Sequence, residues 1–231
     1  MFLAATGLAF PSVAGGIVAA EYGDPTGRYP HGALGDRVEH AGLSVRLADR
    51  RRLAVRFPDT LVFEDTAPRL ADLDGDGGTE VIVVESHERQ GARLAVWGLV
   101  DGGLARRAAT PFIGRRFRWL GPAGAADLDG DGRIEIACVE APHLGKALRI
   151  VRLDGNRLVP VAEARGLTNH RLGDPFIQGR IATCDGQKTI LTANADWTRI
   201  LGATLADDRL SIRDVGPYRS PRSFDRPPGC D

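Results

Sequence analysis

The chain has 231 residues, 43% of them hydrophobic and 26% charged, which excludes a disordered or collagenous polymer and leaves room for a real core. Thirty Lys and Arg balance thirty Asp and Glu, so the basic excess expected of a dedicated nucleic-acid or anionic-membrane binder is missing. Twenty-nine Gly and 14 Pro spread along the sequence suit short strands and turns better than a helical bundle, and predict an all-β fold.

Residues 1–20 come first and carry no charge. Pro11 and Gly15-Gly16 spoil them as a spanning helix, so no stable membrane insertion is expected. Val18-Ala19-Ala20 supplies the small residues that signal peptidase accepts, which predicts a leader over residues 1–20 with cleavage before Glu21. The alternative is a buried N-terminal strand. One domain over 21–231, ending in a short tail at 217–231, is expected to follow. Its first unit begins at His31-Gly32-Ala33-Leu34-Gly35-Asp36, continues into a strand at 38–40, and ends in a hairpin of 43–47 and 53–57 around Ala48-Asp49-Arg50.

The most informative pattern is internal. Ala71-Asp72-Leu73-Asp74-Gly75-Asp76-Gly77 recurs 55 residues later as Ala126-Asp127-Leu128-Asp129-Gly130-Asp131-Gly132. Each copy opens a short apolar run, at 80–85 and 135–140, that reads as a buried strand. Further strands follow at 93–97 and 148–152. Two hairpin signals come after them, Val100-Asp101-Gly102-Gly103-Leu104 and Leu153-Asp154-Gly155-Asn156-Arg157-Leu158. A worn third copy, Ala182-Thr183-Cys184-Asp185-Gly186, precedes an apolar run at 189–194 and has lost most of its carboxylates. Units of this length, each with about four strands, predict a β-propeller of about four blades, with five as the alternative, closed by strands from both chain ends.

In the two complete copies, Asp72, Asp74, Asp76 and Glu80, and Asp127, Asp129, Asp131 and Glu135, occupy loop positions 1, 3, 5 and 9. Alternate carboxylates on a tight Gly-rich loop converge on one point, and an all-oxygen donor set with no His or Cys selects a hard cation, Ca²⁺ before Mg²⁺. Gly78 and Arg133 at position 7 are expected to offer backbone carbonyls. An EF-hand needs Glu at position 12, where Val83 and Cys138 stand instead.

An acidic residue at position 9 that directly opens a strand resembles the calcium loop of the FG-GAP/VCBS repeat family, the propeller repeats of integrin α subunits and of many exported bacterial proteins. The resemblance implies two Ca²⁺ sites, Asp72, Asp74, Asp76, Gly78 and Glu80 in one and Asp127, Asp129, Asp131, Arg133 and Glu135 in the other. It implies no ion at the third or first unit. It also implies a periplasmic or secreted binding or scaffolding module in which calcium is structural. The expected partner is a protein or a glycan and not nucleic acid, and the chain is expected to be a monomer.

Three cysteines, Cys138, Cys184 and Cys230, form no C-x-x-C pair. Cys138 lies in an apolar run, whereas a Cys184–Cys230 disulfide would tie the tail down in an oxidising compartment. No catalytic motif is present, so no catalytic residue is assigned and the chain leans away from being an enzyme. A hydrolase or lyase reading would rest on His87 and His143, which follow Glu85 and Glu140 in equivalent strands. A lectin reading would use Trp97, Trp119 or Trp197. The runs Arg50-Arg51-Arg52 and Arg115-Arg116-Phe117-Arg118-Trp119 read as solvated turns before they read as anion sites. Asn169-His170-Arg171 and Asp196-Trp197-Thr198-Arg199 have similar potential as glycan-contacting turns.

Overall fold

The computed structural model describes residues 16–231, so most of the expected leader lies outside the described residues. The described chain is all-β apart from a single 3-10 turn, Pro221–Phe224. No described helix is long and apolar enough to cross a membrane. Four antiparallel units follow one another along the sequence. The first holds β1 (Ile17–Thr26), β2 (Glu39–Leu47) and β3 (Arg52–Arg56), with β2 between the other two. The second holds β4 (Leu61–Phe63), β5 (Arg69–Ala71), β6 (Glu80–His87), β7 (Gly91–Val100) and β8 (Gly103–Ala109). There β4 and β5 pair with two stretches of one edge of β6, and β4 also touches β2 at His40, which joins the first two units into one sheet.

The third unit is a plain four-stranded meander of β9 (Leu120–Ala126), β10 (Glu135–Glu140), β11 (Ala147–Asp154) and β12 (Arg157–Arg165). The fourth holds β13 (Leu167–Thr168), β14 (Arg180–Cys184), β15 (Gln187–Asn194), β16 (Arg199–Ala206) and β17 (Arg209–Pro217), with β13 and β14 sharing one edge of β15. Asp101-Gly102 and Asp185-Gly186 close two-residue hairpins with positive φ at both positions, the twist that joins adjacent antiparallel strands.

Side chains alternate across a strand, and here both faces of the central strands are covered, which is why they read as unbroken apolar runs. Val81 and Val83 pack toward the first unit with Leu43, Val45, Phe63 and Trp97, whereas Ile82 and Val84 face the third with Ile136 and Cys138. Ala137 and Val139 in turn face Ile190 of the fourth unit. The last face, with Leu191, Ala193 and Ile200, is covered by Phe224 of the tail. Cys184 and Cys230 form a disulfide that pins this cover. Closing a loop of that length stabilises the fold by on the order of 4 kcal/mol in the chain-entropy account. Cys138 is a free, buried thiol.

Two boundaries differ from the sequence reading. Residues 17–20 open β1: Ile17 pairs with Leu47 and is 2% exposed, so a cut before Glu21 would remove a core side chain and three residues paired with β2. The strands expected at 38–40 and 43–47 are one strand, β2, which runs through Ala41-Gly42. A Cβ at Gly42 would lie 2.9 Å from Asp24 Oδ2, so glycine here serves the close approach of β1 and does not break the strand. The expected blade shared by both chain ends is also absent among the described residues. There β1 pairs with β2 and β17 with β16, and the tail covers the face a shared blade would have met. The first and fourth units meet instead through the segment between β1 and β2, where Gly173 N–H donates to Ala33 O at 2.9 Å.

Candidate metal centres

Each acidic loop is a self-capping curl between two paired strands, β5 and β6 in the second unit and β9 and β10 in the third. In the first, Asp72 accepts the N–H groups of Gly75 at 2.8 Å and Gly77 at 3.0 Å, and Asp76 accepts Gly78 N–H at 2.6 Å. In the second, Asp127 accepts Gly130 at 2.7 Å and Gly132 at 3.0 Å, and Asp131 accepts Arg133 at 2.8 Å. Gly75, Gly77, Gly130 and Gly132 all sit at positive φ, which L side chains enter only with strain. The acid that opens the strand closes the loop: Glu80 accepts Leu73 N–H and Glu135 accepts Leu128 N–H, both at 2.9 Å.

Asp72, Asp74 and Glu80 bring carboxylate oxygens within 4.8 Å of one another, and Asp127, Asp129 and Glu135 do the same. Six of the ten expected ligands therefore converge. Asp76 and Asp131 instead turn to the backbone at Gly78 and Arg133, the two residues that were expected to offer carbonyls. The two trios fit a hard cation, since each presents only carboxylate oxygen at a loop mouth.

What the sequence reading missed is a stand-in cation at each trio. Arg107 of β8 donates to Glu80 at 2.5 Å and to Asp74 at 2.7 Å. Arg152 of β11 donates to Glu135 at 2.5 Å and to Asp129 at 3.2 Å, and its guanidinium also lies 3.3 Å from Asp131. Burial pushes the Glu80 and Glu135 carboxyls up, and the loop N–H and the arginine pull them back. The surrounding carboxylates hold both guanidinium groups firmly protonated.

Residues 67–138 match the FG-GAP-like repeat family. That span contains both loops, the whole of β6 and the start of β10. A search of curated proteins found no match to the chain. The fourth unit's turn, Asp185-Gly186, lies outside the matched residues and is tied by Cys184 to the tail.

The residues behind the catalytic reading are not brought together. Glu85 is fully buried and salt-bridged to Arg93 and Arg106, with Trp97 Nε1 donating to it at 2.8 Å. His87 lies tilted against Phe112, whereas His143 pairs with His170 at 2.8 Å beside Trp119. Burial, with the neighbouring His170, lowers His143 to about 4. Trp97 and Trp119 are 7% and 1% exposed and serve the core, leaving Trp197 as the half-buried tryptophan at the surface. A cavity of about 700 Å³ opens between the second and third units over Leu94, Cys138, Val151 and Leu158, and takes in none of the expected ligands.

Proposed function

We propose that the chain is an exported, propeller-type binding module whose two acidic loops each take one Ca²⁺ as a structural clamp. The observation that supports this reading is duplication: two loops 55 residues apart converge the same three carboxylates with the same capping hydrogen bonds. Asp72, Asp74 and Glu80 would hold one ion and Asp127, Asp129 and Glu135 the other. Bound calcium would supply charge neutralisation at the loop mouth, and the loop carboxylates do the orienting, since each is already fixed by a backbone N–H. The disulfide fits an oxidising, extracellular compartment, and an export leader on this chain would have to end before Ile17.

The test is thermal unfolding with calcium and with chelator. A ligand that binds only the folded state adds about 2.7 kcal/mol at one hundred times its dissociation constant. The expected outcome is a higher Tm with calcium, abolished when Asp74→Ala and Asp129→Ala are combined. Superimposable curves in calcium and chelator would remove the metal reading.

A further inference from the structure

The face opposite the acidic loops carries a second duplicated feature. β6 and β10 start at the acidic loops and run away from them, so the connections that follow β6, β10 and β15 emerge at the other end. The segments entering β9 and leaving β17 join them there: Arg118 O accepts Ala92 N–H, Ala195 O accepts the Lys146 ammonium, and Thr198 O accepts Tyr218 N–H.

Two arginine-on-aromatic cradles stand at this end. In one, the Phe117 ring has the Arg116 guanidinium over it at 4.4 Å and His31 stacked on it at 4.9 Å and 13°, and Tyr29 meets it edge-on at 5.1 Å and 67°. In the other, Arg171 lies over the Trp197 ring at 4.7 Å, and Tyr218 meets Trp197 at 5.1 Å and 68°. The central aromatics, Phe117 and Trp197, both sit at positive φ, 60° and 61°. For bulky side chains that is a costly conformation, and such strain concentrates at functional sites. The parts come from unrelated places: Arg116 precedes its ring in sequence, whereas Arg171 reaches Trp197 from another loop. The same geometry is thus assembled twice by different routes. Both arginines are exposed and, unlike Arg107 and Arg152, neither has a carboxylate in ion-pair reach among the described residues. The segment between β1 and β2 links the cradles, with Tyr29 in one and Ala33 bonded to Gly173, two residues past Arg171.

We propose that the two cradles are paired subsites for an acidic polysaccharide. This rests on reading the chain as a binding module, but not on calcium. A guanidinium fork takes a carboxylate or sulfate in bidentate fashion, and the ring beneath each arginine holds the fork in place for the acidic groups of a glycan. A neutral chain with its acidic loops at the far end suits a short anionic glycan better than a long nucleic acid.

Trp197 reports the event, because Trp97 and Trp119 are buried. Tryptophan fluorescence is titrated with a galacturonate hexamer, a sulfated hexamer, a neutral hexasaccharide, a thymidine hexanucleotide and a glutamate hexapeptide. The expected result is a saturable change with at least one acidic hexasaccharide that weakens with salt. Arg116→Gln or Arg171→Gln lowers the affinity about tenfold, and the double variant abolishes it with Tm unchanged. Silence toward both acidic glycans overturns the proposal, as does equal response to the neutral sugar, survival in the double variant, or tighter binding of the nucleotide or peptide. Parallel titrations in calcium and in chelator separate the two readings: a calcium-independent Tm with intact glycan binding sinks only the metal loops.

Discussion

The two acidic loops are near copies in backbone and differ in where the arginine that answers their charge comes from. Glu80 and Glu135 close their loops with the same 2.9 Å hydrogen bond, and Asp72 and Asp127 cap the same pair of glycine N–H groups. The answering arginine comes from the outermost strand, β8, in one unit and from β11 in the other. Arg152 reaches three carboxylates and is 10% exposed, whereas Arg107 reaches two and is 20% exposed. The curl is therefore encoded within nine residues, while its electrostatic compensation is a property of whichever neighbouring strand lies close enough. Under the proposed function, calcium would compete with arginine for the same carboxylates, and the second loop is the more firmly answered by its arginine.

The sharpest test of that difference is to remove each arginine in chelator. Arg152→Met leaves Glu135 buried without its counter-charge and should cost about 3 kcal/mol, a Tm drop of roughly 6–12 °C in a chain of this size. Arg107→Met, at a more exposed site, should cost roughly half as much. Equal losses would erase the distinction between the loops. The next effect is in calcium binding: titration calorimetry should count one ion in place of two in Asp74→Ala and in Asp129→Ala, and calcium should offset more of the Arg152→Met loss than of the Arg107→Met loss.

The loops are best compared near neutral pH, because buried groups elsewhere, Glu39 and His143 among them, contribute to the limbs of the stability curve. Burial and the neighbouring Glu64 carboxylate raise Glu39 to about 9. Its folded form holds the proton more tightly than the unfolded chain does, so this contribution is complete below about pH 4.5 and is lost as pH rises through about 9. Glu39→Gln should flatten the alkaline limb of a Tm–pH curve. His143, lowered to about 4, acts in the other direction: its contribution is present above about 6.5 and is lost as pH falls through 4, and His143→Gln should flatten the acid limb. The smallest expected effect is a null difference. Gly75→Ala and Gly130→Ala meet open space and positive φ alike, so each should cost about 1 kcal/mol of strain and the two should agree. Unequal losses would show that the two curls are not the same device.

These contrasts also mark what was legible. The acidic loops were readable because every capping partner lies inside the motif, and the buried strands because both of their faces are covered. Arg107 and Arg152 were not, since they stand 27 and 17 residues beyond the acids they meet and no local pattern signals a strand-to-strand approach. Residues 17–20 share an uncharged composition with a leader, and their pairing with β2 is visible only in the structure. The aromatic cradles were glimpsed as runs around Phe117 and Trp197, but Tyr29 and Tyr218 arrive from distant segments. The Cys184–Cys230 pairing was anticipated at the end of the chain, whereas the place of Phe224 over the fourth unit was not, since it depends on how the tail folds back between those two residues.

That junction has a topological side. Cys184 and Cys230 close a covalent ring around most of the fourth unit. A protease that nicks the backbone anywhere inside the ring leaves one molecule, whose two pieces separate only on reduction. A cut in the first three units leaves two pieces with no covalent link, which part on a denaturing gel without reductant. The last unit can thus be scarred without being shed, and non-reducing and reducing gels of the same digest would map the ring's borders directly onto the chain.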